Sequence, residues 1–401
     1  MSHILQLTIL RYPEIEGGVD TMVASIVTHL KQRHKVSVFV PGGWDQKTLS
    51  RRSAEGVPIY SIRLRMPFGH RHSVTAFLGW LIEFPRTLLT LRSLAREQGI
   101  DIIHAHMGKD YHLYLRVLRW LGGPPYVITL HRAEVADFHS LSSSSQWLMK
   151  FALRGAARIN AVARWLALDA ERIFPGIGPI TWVHNGFTLP DRSLVAPPIA
   201  THFAESLPQR YAIMVGAFDP YKGHETAFRA WQLLPESLRD LELLVVGDGA
   251  LRPHYEAVIV QLGCGQRIRL VGQIPHHDVL RLMRGALTMV LPSRSEGFAY
   301  ALLEAGAVGI PVVCSQIPAF LEVIANGVNG LVIPVDDHAA LAAAVECLAG
   351  DAALRERLGS NLQQQIHSHF TVEAMTDAYE RLYAEVLGGT RRPRNPAQTE
   401  R

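Results

Sequence analysis

Two glutamates separated by seven residues, Glu296 and Glu304, carry the strongest chemical signal in this chain. They stand in Pro292-Ser293-Arg294-Ser295-Glu296-Gly297-Phe298-Ala299-Tyr300-Ala301-Leu302-Leu303-Glu304. The apolar run 287–291 reads as a buried strand, 292–297 as a loop, and 299–307 as a helix rich in strong helix formers. Both carboxylates therefore sit at a strand-to-helix crossing. The first N–H groups of a helix lack intrahelical partners and form a ready anion site. Two carboxylates would repel a polyphosphate placed there unless each points at neutral hydroxyls. Sugar rings supply such hydroxyls: one carboxylate would hold a ribose diol, the other a hexose. The local chemistry is that of a nucleotide-sugar site, although the same pair also fits two solvated glutamates at a helix start favoured by the dipole.

A cation is placed to complement them. In Val215-Gly216-Ala217-Phe218-Asp219-Pro220-Tyr221-Lys222-Gly223-His224, Gly216 admits a phosphate close to the backbone and Lys222 delivers a point charge. Gly247-Asp248-Gly249 is a turn that capping alone explains. Gly272 and Ile274 end a further strand in Val271-Gly272-Gln273-Ile274-Pro275. Near the start, Gly17-Gly18 permits a tight turn before a long helix, without the spaced glycines of dinucleotide-binding folds. Histidines end two strands, His106 in Ile102-Ile103-His104-Ala105-His106 and His131 in Thr129-Leu130-His131, at the edge where open sheets do chemistry. Such histidines also serve as hydrogen-bonded structure. Asn185-Gly186 tolerates left-handed backbone, which suits either a hinge facing a cleft or a plain interdomain turn.

Ser293, Glu296, Gly297, Phe298, Glu304, Gly309, Pro311 and Val312 together resemble the donor-site signature of the retaining glycosyltransferases of family 4, the glycosyl transferases group 1, over nearly the whole chain. The resemblance implies a GT-B fold and a retaining, metal-independent glycosyl transfer from a nucleoside-diphosphate sugar to an acceptor hydroxyl, in surface-polysaccharide or glycolipid synthesis. It implies catalytic roles for His131, Lys222 and Glu296. Donor binding is implied for Gly17, Gly18, Gly216, Lys222, Gly272, Ile274, Glu296, Gly297, Phe298, Ala299, Tyr300 and Glu304, with His106 and Asn185 on the acceptor side. One departure stands out. Where the family places an arginine after the glycine, this chain has Ala217, leaving Arg252 or Arg294 as substitutes for the missing cation. Two rivals remain open: a nucleotide-sugar epimerase on the same scaffold, and a catalytically weakened nucleotide-sugar-binding scaffold protein.

The supporting architecture follows from the apolar rhythm. Strands are expected at 4–10, 36–40, 59–62, 102–105, 126–130, 159–162 and 180–183, with helices at 19–31, 77–97 and 113–121. After a Pro-rich stretch, a second series follows at 211–215, 241–246, 268–271, 287–291, 312–314 and 331–333. This alternation specifies βαβ units, so the fold class is α/β with two Rossmann-like, doubly wound parallel-sheet domains facing a cleft. The expected division is 1–187, a linker 188–208, a nucleotide-sugar domain 209–370, a helix 371–388 crossing back to the first domain, and a disordered tail 389–401.

At 401 residues, 48% hydrophobic, the chain is long enough for two ordinary cores. Residues 1–190 hold 22 Lys and Arg against 13 Asp and Glu, while 191–401 hold 18 against 23. The segment 63–71 with Phe77, Trp80, Phe84 and Arg86 mixes cations and aromatics as anionic membrane surfaces require, though an ordinary amphipathic helix on a sheet would also show it. No nucleic-acid reading motif occurs, so nucleic acid is not an expected partner. Three scattered cysteines argue for a reducing compartment. With no signal-like start and no long apolar span, a cytoplasmic protein is expected, in peripheral contact with the inner face of the membrane if the basic aromatic segment binds it. Neither His-x-x-x-His pairs nor an Asp-rich motif appears, so neither metal nor cofactor is expected.

Overall fold

The computed structural model describes residues 1–8, 12, 18–43, 45–66, 74–107, 112–188 and 207–390. Gly17, most of the expected linker 188–208, part of the basic segment 63–71 and the terminal stretch 391–401 lie outside the described residues. The chain divides into two compact units, Met1–His184 with Val372–Arg401, and Asn185–Thr371.

The first unit is built on a sheet of eight strands: β1 (His3–Leu7), β2 (Lys35–Phe39), β3 (Ser50–Ala54), β4 (Val57–Ser61), β5 (Ile102–His106), β6 (Tyr126–Leu130), β7 (Arg158–Ala161) and β8 (Thr181–Trp182). Their order is β3-β4-β2-β1-β5-β6-β7-β8. Every pairing is parallel except β3 with β4, which run antiparallel. β3 is not among the expected strands. Ser50-Arg51-Arg52-Ser53-Ala54 is almost wholly exposed, and a polar edge strand leaves no apolar run to read. By contrast β1, β5 and β6 are buried along their whole length, the pattern of a strand covered on both faces. β1 ends at Leu7, and residues 9 and 10 of the expected strand lie outside the described residues. The helix Val372–Thr390 belongs to this unit and lies against the helix Gly18–Leu30. Arg33 binds Asp377 and Glu380 at 2.7 and 3.0 Å, and His34 reaches Glu380 at 3.2 Å. Gly389 and Thr390, expected in the tail, are still helical.

The second unit carries a six-stranded, all-parallel sheet: β9 (Arg210–Val215), β10 (Leu241–Val246), β11 (Ile268–Gly272), β12 (Met289–Leu291), β13 (Val312–Ser315) and β14 (Leu331–Ile333), in the order β11-β10-β9-β12-β13-β14. Order reverses between β9 and β12, and such a switch point is where open α/β sheets bind ligands, at the carboxyl ends of the strands. The unit opens at Asn185 rather than after residue 187, because the Phe187 N–H donates to the Phe370 carbonyl at 2.8 Å and Phe187 bridges to Thr371. Trp231 fills its core, fully buried, with its indole N–H on the Leu241 carbonyl at 3.1 Å. Among the described residues no helix is long and apolar enough to cross a membrane.

Candidate active site

The site of the second unit grows from the loops after β9 and β12. After β9 the chain turns through Pro220–Lys222 and then Gly223, whose φ of 73° is left-handed. Glycine is required there twice over, because a Cβ would also lie 2.0 Å from the Pro292 carbonyl oxygen. The close approach of these two loops sets Lys222 beside the segment 292–297. Its Nζ donates to Glu296 Oε1 at 2.8 Å, and Ser293 Oγ donates to the same oxygen at 2.9 Å. Glu296 is buried, while the Lys222 side chain is 20% exposed and its stem lies over Gly216. Gly297, Phe298 and Ala299 are buried and lead into the helix Tyr300–Val308, which opens at Ala299 without a side-chain cap. Helix and loop are braced by the Tyr300 hydroxyl on the Gly186 carbonyl at 2.7 Å and by Phe298 against Phe370.

Glu304 sits one turn into that helix, buried. His276 Nε2 meets its Oε1 at 2.8 Å, and this hydrogen bond raises the imidazole above its usual value. His276 lies just past Gly272 and Ile274, as the first residue of the helix His276–Gly285 that follows β11. Nothing in the sequence near Glu304 points to this partner, because the two residues are joined only by the fold.

The two arginines proposed to replace the cation missing at Ala217 differ. Arg294 is committed elsewhere, its Nε on Asp336 at 2.8 Å and one terminal nitrogen on the Pro220 carbonyl at 2.9 Å. Arg252 is anchored by Nε to Asp248 at 3.0 Å and lies over the Phe218 ring, with Nη2 3.3 Å from where a Gly272 Cβ would be. It therefore keeps a guanidinium edge at Gly272, a site residue in its own right. Asn185 is buried, and its side-chain oxygen has no hydrogen-bond partner among the described residues.

The first unit brings its own candidates together at the ends of β5 and β6. His106 and His131 are buried with ring centres 5.9 Å apart, and His104 stacks on His106 at 4.1 Å. Burial pushes His131 down to about 3 and His106 well below its ordinary value, so both rings are neutral. His131 Nε2 has no hydrogen-bond partner among the described residues. The turn carrying it is held by Glu134, whose carboxylate accepts from the backbone N–H of His131 and Arg132 at 3.2 and 3.1 Å. Gly18 is the first residue of the helix Gly18–Leu30.

An acidic pair opening one helix, an ammonium fixed to its first member and two parallel-sheet units define a glycosyltransferase of GT-B type. Residues 17–186 match the glycosyl transferase 4-like domain and 200–365 match glycosyl transferases group 1, and the chain belongs to this family. It is 26% identical over 410 residues to a glycogen synthase of Mycobacterium tuberculosis, covering 95% of this chain and 94% of the relative. A phosphatidyl-myo-inositol mannosyltransferase of Mycolicibacterium smegmatis is 25% identical over 397 residues, covering 94% and 92%. Among solved structures, HepE of Anabaena in complex with UDP-glucose superposes with a TM-score of 0.75 at 17% identity, covering 97% of this chain and all of that one.

Proposed function

We propose that the protein moves a hexose from a uridine-diphosphate sugar to a hydroxyl of a growing glycan or glycolipid, with retention and without a metal. The observation that carries this reading is the Lys222–Glu296–Ser293 cluster at the start of the helix that also bears Glu304. Glu304 grips the ribose diol, Gly272 and Ile274 border the base, and Arg252 at Gly272 stands in for the cation lost at Ala217. Gly216, Lys222 and the uncapped helix start at Ala299 hold the diphosphate, so positive charge is supplied by the ammonium and the helix amides. Glu296 receives hexose hydroxyls while His131, neutral, orients the sugar. The anomeric carbon–oxygen bond to the phosphate breaks as the acceptor oxygen bonds to that carbon on the same face. The acceptor proton passes to the departing phosphate oxygen, whose charge Lys222 offsets. UDP supports the donor choice through the HepE complex, and the glycan or glycolipid acceptor through the glycogen synthase and mannosyltransferase relatives.

Lys222→Ala and Glu296→Ala test the assignment by UDP release from a panel of UDP-sugars with acceptor present. Each is expected to lower kcat by about 100-fold or more, the usual loss when one charge-stabilising group is removed. Undiminished transfer in both variants refutes the roles given to them. Proton NMR of donor incubated alone separates transfer from epimerisation, which would convert the donor without acceptor.

A further inference from the structure

The loops after β9, β12 and β14 meet at Arg294, a residue to which the proposed transfer gives no part. Its backbone N–H donates to the Tyr221 carbonyl at 2.7 Å, and one terminal nitrogen donates to the Pro220 carbonyl at 2.9 Å. Two of the three residues in the turn Pro220–Lys222 are thus bonded to one residue of the segment that carries Glu296. The guanidinium is held in turn by Asp336, whose Oδ1 and Oδ2 accept from Arg294 Nε at 2.8 and 2.9 Å. Asp336 Oδ1 also accepts from the Thr226 hydroxyl at 3.2 Å, in the first turn of the helix His224–Leu233 that follows Lys222.

The anchor sits on a fixed element. Asp336 follows β14, and its neighbour Asp337 caps the helix His338–Gly350 by accepting from the Ala340 N–H at 2.8 Å. The φ of Asp336, 63°, lies in the left-handed region, open to Asp at some cost and to Gly at none. The side chains of Arg294 and Asp336 are 46% and 48% exposed, and exposed ion pairs add little to stability. What this pair does contribute is position, because it ties the Lys222 turn to the segment 292–297.

We propose that Arg294 and Asp336 form a clasp that keeps the Lys222 ammonium beside Glu296, where both face the donor, while neither clasp residue touches the donor itself. Both are positioning residues, and Arg294 is not the replacement for the cation lost at Ala217. The catalytic half of this inference rests on the roles of Lys222 and Glu296 in the proposed function.

Asp336→Gly removes the carboxylate and relieves the backbone, so it separates position from stability. Its melting temperature is expected within about 4 °C of wild type, the most that losing an exposed ion pair shifts a unit of this size. Hydrogen exchange of the full-length protein without donor, read by mass spectrometry, should be about fivefold faster in the segments 219–223 and 292–296, the scale of one lost hydrogen bond. Transfer should fall about tenfold in kcat, less than in Lys222→Ala, because the ammonium is displaced rather than deleted. In the Lys222→Ala background Asp336→Gly should cost nothing further. Asp240→Ala is the control: it breaks an exposed ion pair with Arg210, 2.9 Å apart at the other end of β9, and should change neither exchange nor kcat.

Unchanged exchange in Asp336→Gly overturns the clasp, and a larger fall in melting temperature makes the pair a source of stability instead. An additive loss in the double variant also overturns it, since Asp336 would then act elsewhere than on Lys222. So does tighter UDP binding by Asp336→Gly, the outcome of freeing Arg294 to reach the diphosphate. Undiminished transfer by Lys222→Ala refutes the proposed function and the catalytic half of the clasp with it, while the exchange result still decides whether Asp336 holds the turn.

Discussion

Glu304 offers a ribose two oxygens, and His276 ties down one of them at 2.8 Å. Without that tie the carboxylate would be free to rotate, and its orientation would have to be fixed when the nucleotide binds. His276→Ala is therefore expected to weaken UDP binding about fivefold by calorimetry, a hydrogen bond's worth of about 1 kcal/mol. The same pair gives a signed pH effect. The hydrogen bond to Glu304 raises the folded-state value of His276 above its ordinary value of 6.5. Its stabilisation is thus complete below 6.5 and disappears as pH rises through the higher folded value. Melting temperatures of wild type and His276→Ala should differ at pH 5.5 and converge by pH 8.5. A difference that grows with pH would contradict the assignment.

At the scale of the element, the helix Val74–Gln98 shows which part of the basic aromatic segment is free to meet a membrane. Arg63 and Arg65 are both paired with Glu83, and Phe84 turns inward on Tyr114 with the Trp80 ring tilted against it at 4.9 Å. These residues, expected in the patch, are occupied within the unit. What remains outward is an apolar face of Leu78, Leu81, Ile82 and Leu89, 46 to 67% exposed, with Arg86 beside it. If this face enters a bilayer surface, Leu81→Glu with Ile82→Glu should reduce flotation on anionic vesicles at least about tenfold, from the apolar area withdrawn. Equal flotation of wild type and variant, or none by either, removes the membrane from the list of partners. The sequence shows this helix and most strands because burial on one or both faces imposes an apolar period, and helix ends slip by up to three residues. It misses β3, whose exposed polar residues give no apolar alternation. The acidic pair was legible because its spacing lies within one crossing. His276 and the pairing of Arg294 with Asp336 were not, because these partners meet only after residues 28 and 42 positions apart are brought together.

Across the whole molecule the buried histidines work against acid tolerance, and they do so unevenly. His104 and His131 are pushed down to about 3 by burial, and His106 well below its ordinary value, all in the first unit. In the second unit burial pushes His224 down to about 4, and His276 moves the opposite way. A histidine with a depressed folded value takes its proton in the unfolded chain first, so stability is lost as pH falls below about 6.5 and continues to fall until the folded value is reached. Each such histidine withdraws about 1.4 kcal/mol per pH unit in that window. Burial also pushes His3 down, so four such histidines lie in the first unit among the described residues. The first unit should therefore lose stability with acid more steeply than the second, which has one depressed and one raised histidine. Six of the seven tryptophans precede residue 184 and Trp231 alone lies in the second unit, so fluorescence of Trp231→Phe follows the first unit by itself. Urea midpoints in that variant should fall between pH 6.5 and 4.5, and His131→Asn should make that fall shallower. A slope unaffected by that substitution would mean that the acid sensitivity resides elsewhere than in the cluster behind β5 and β6.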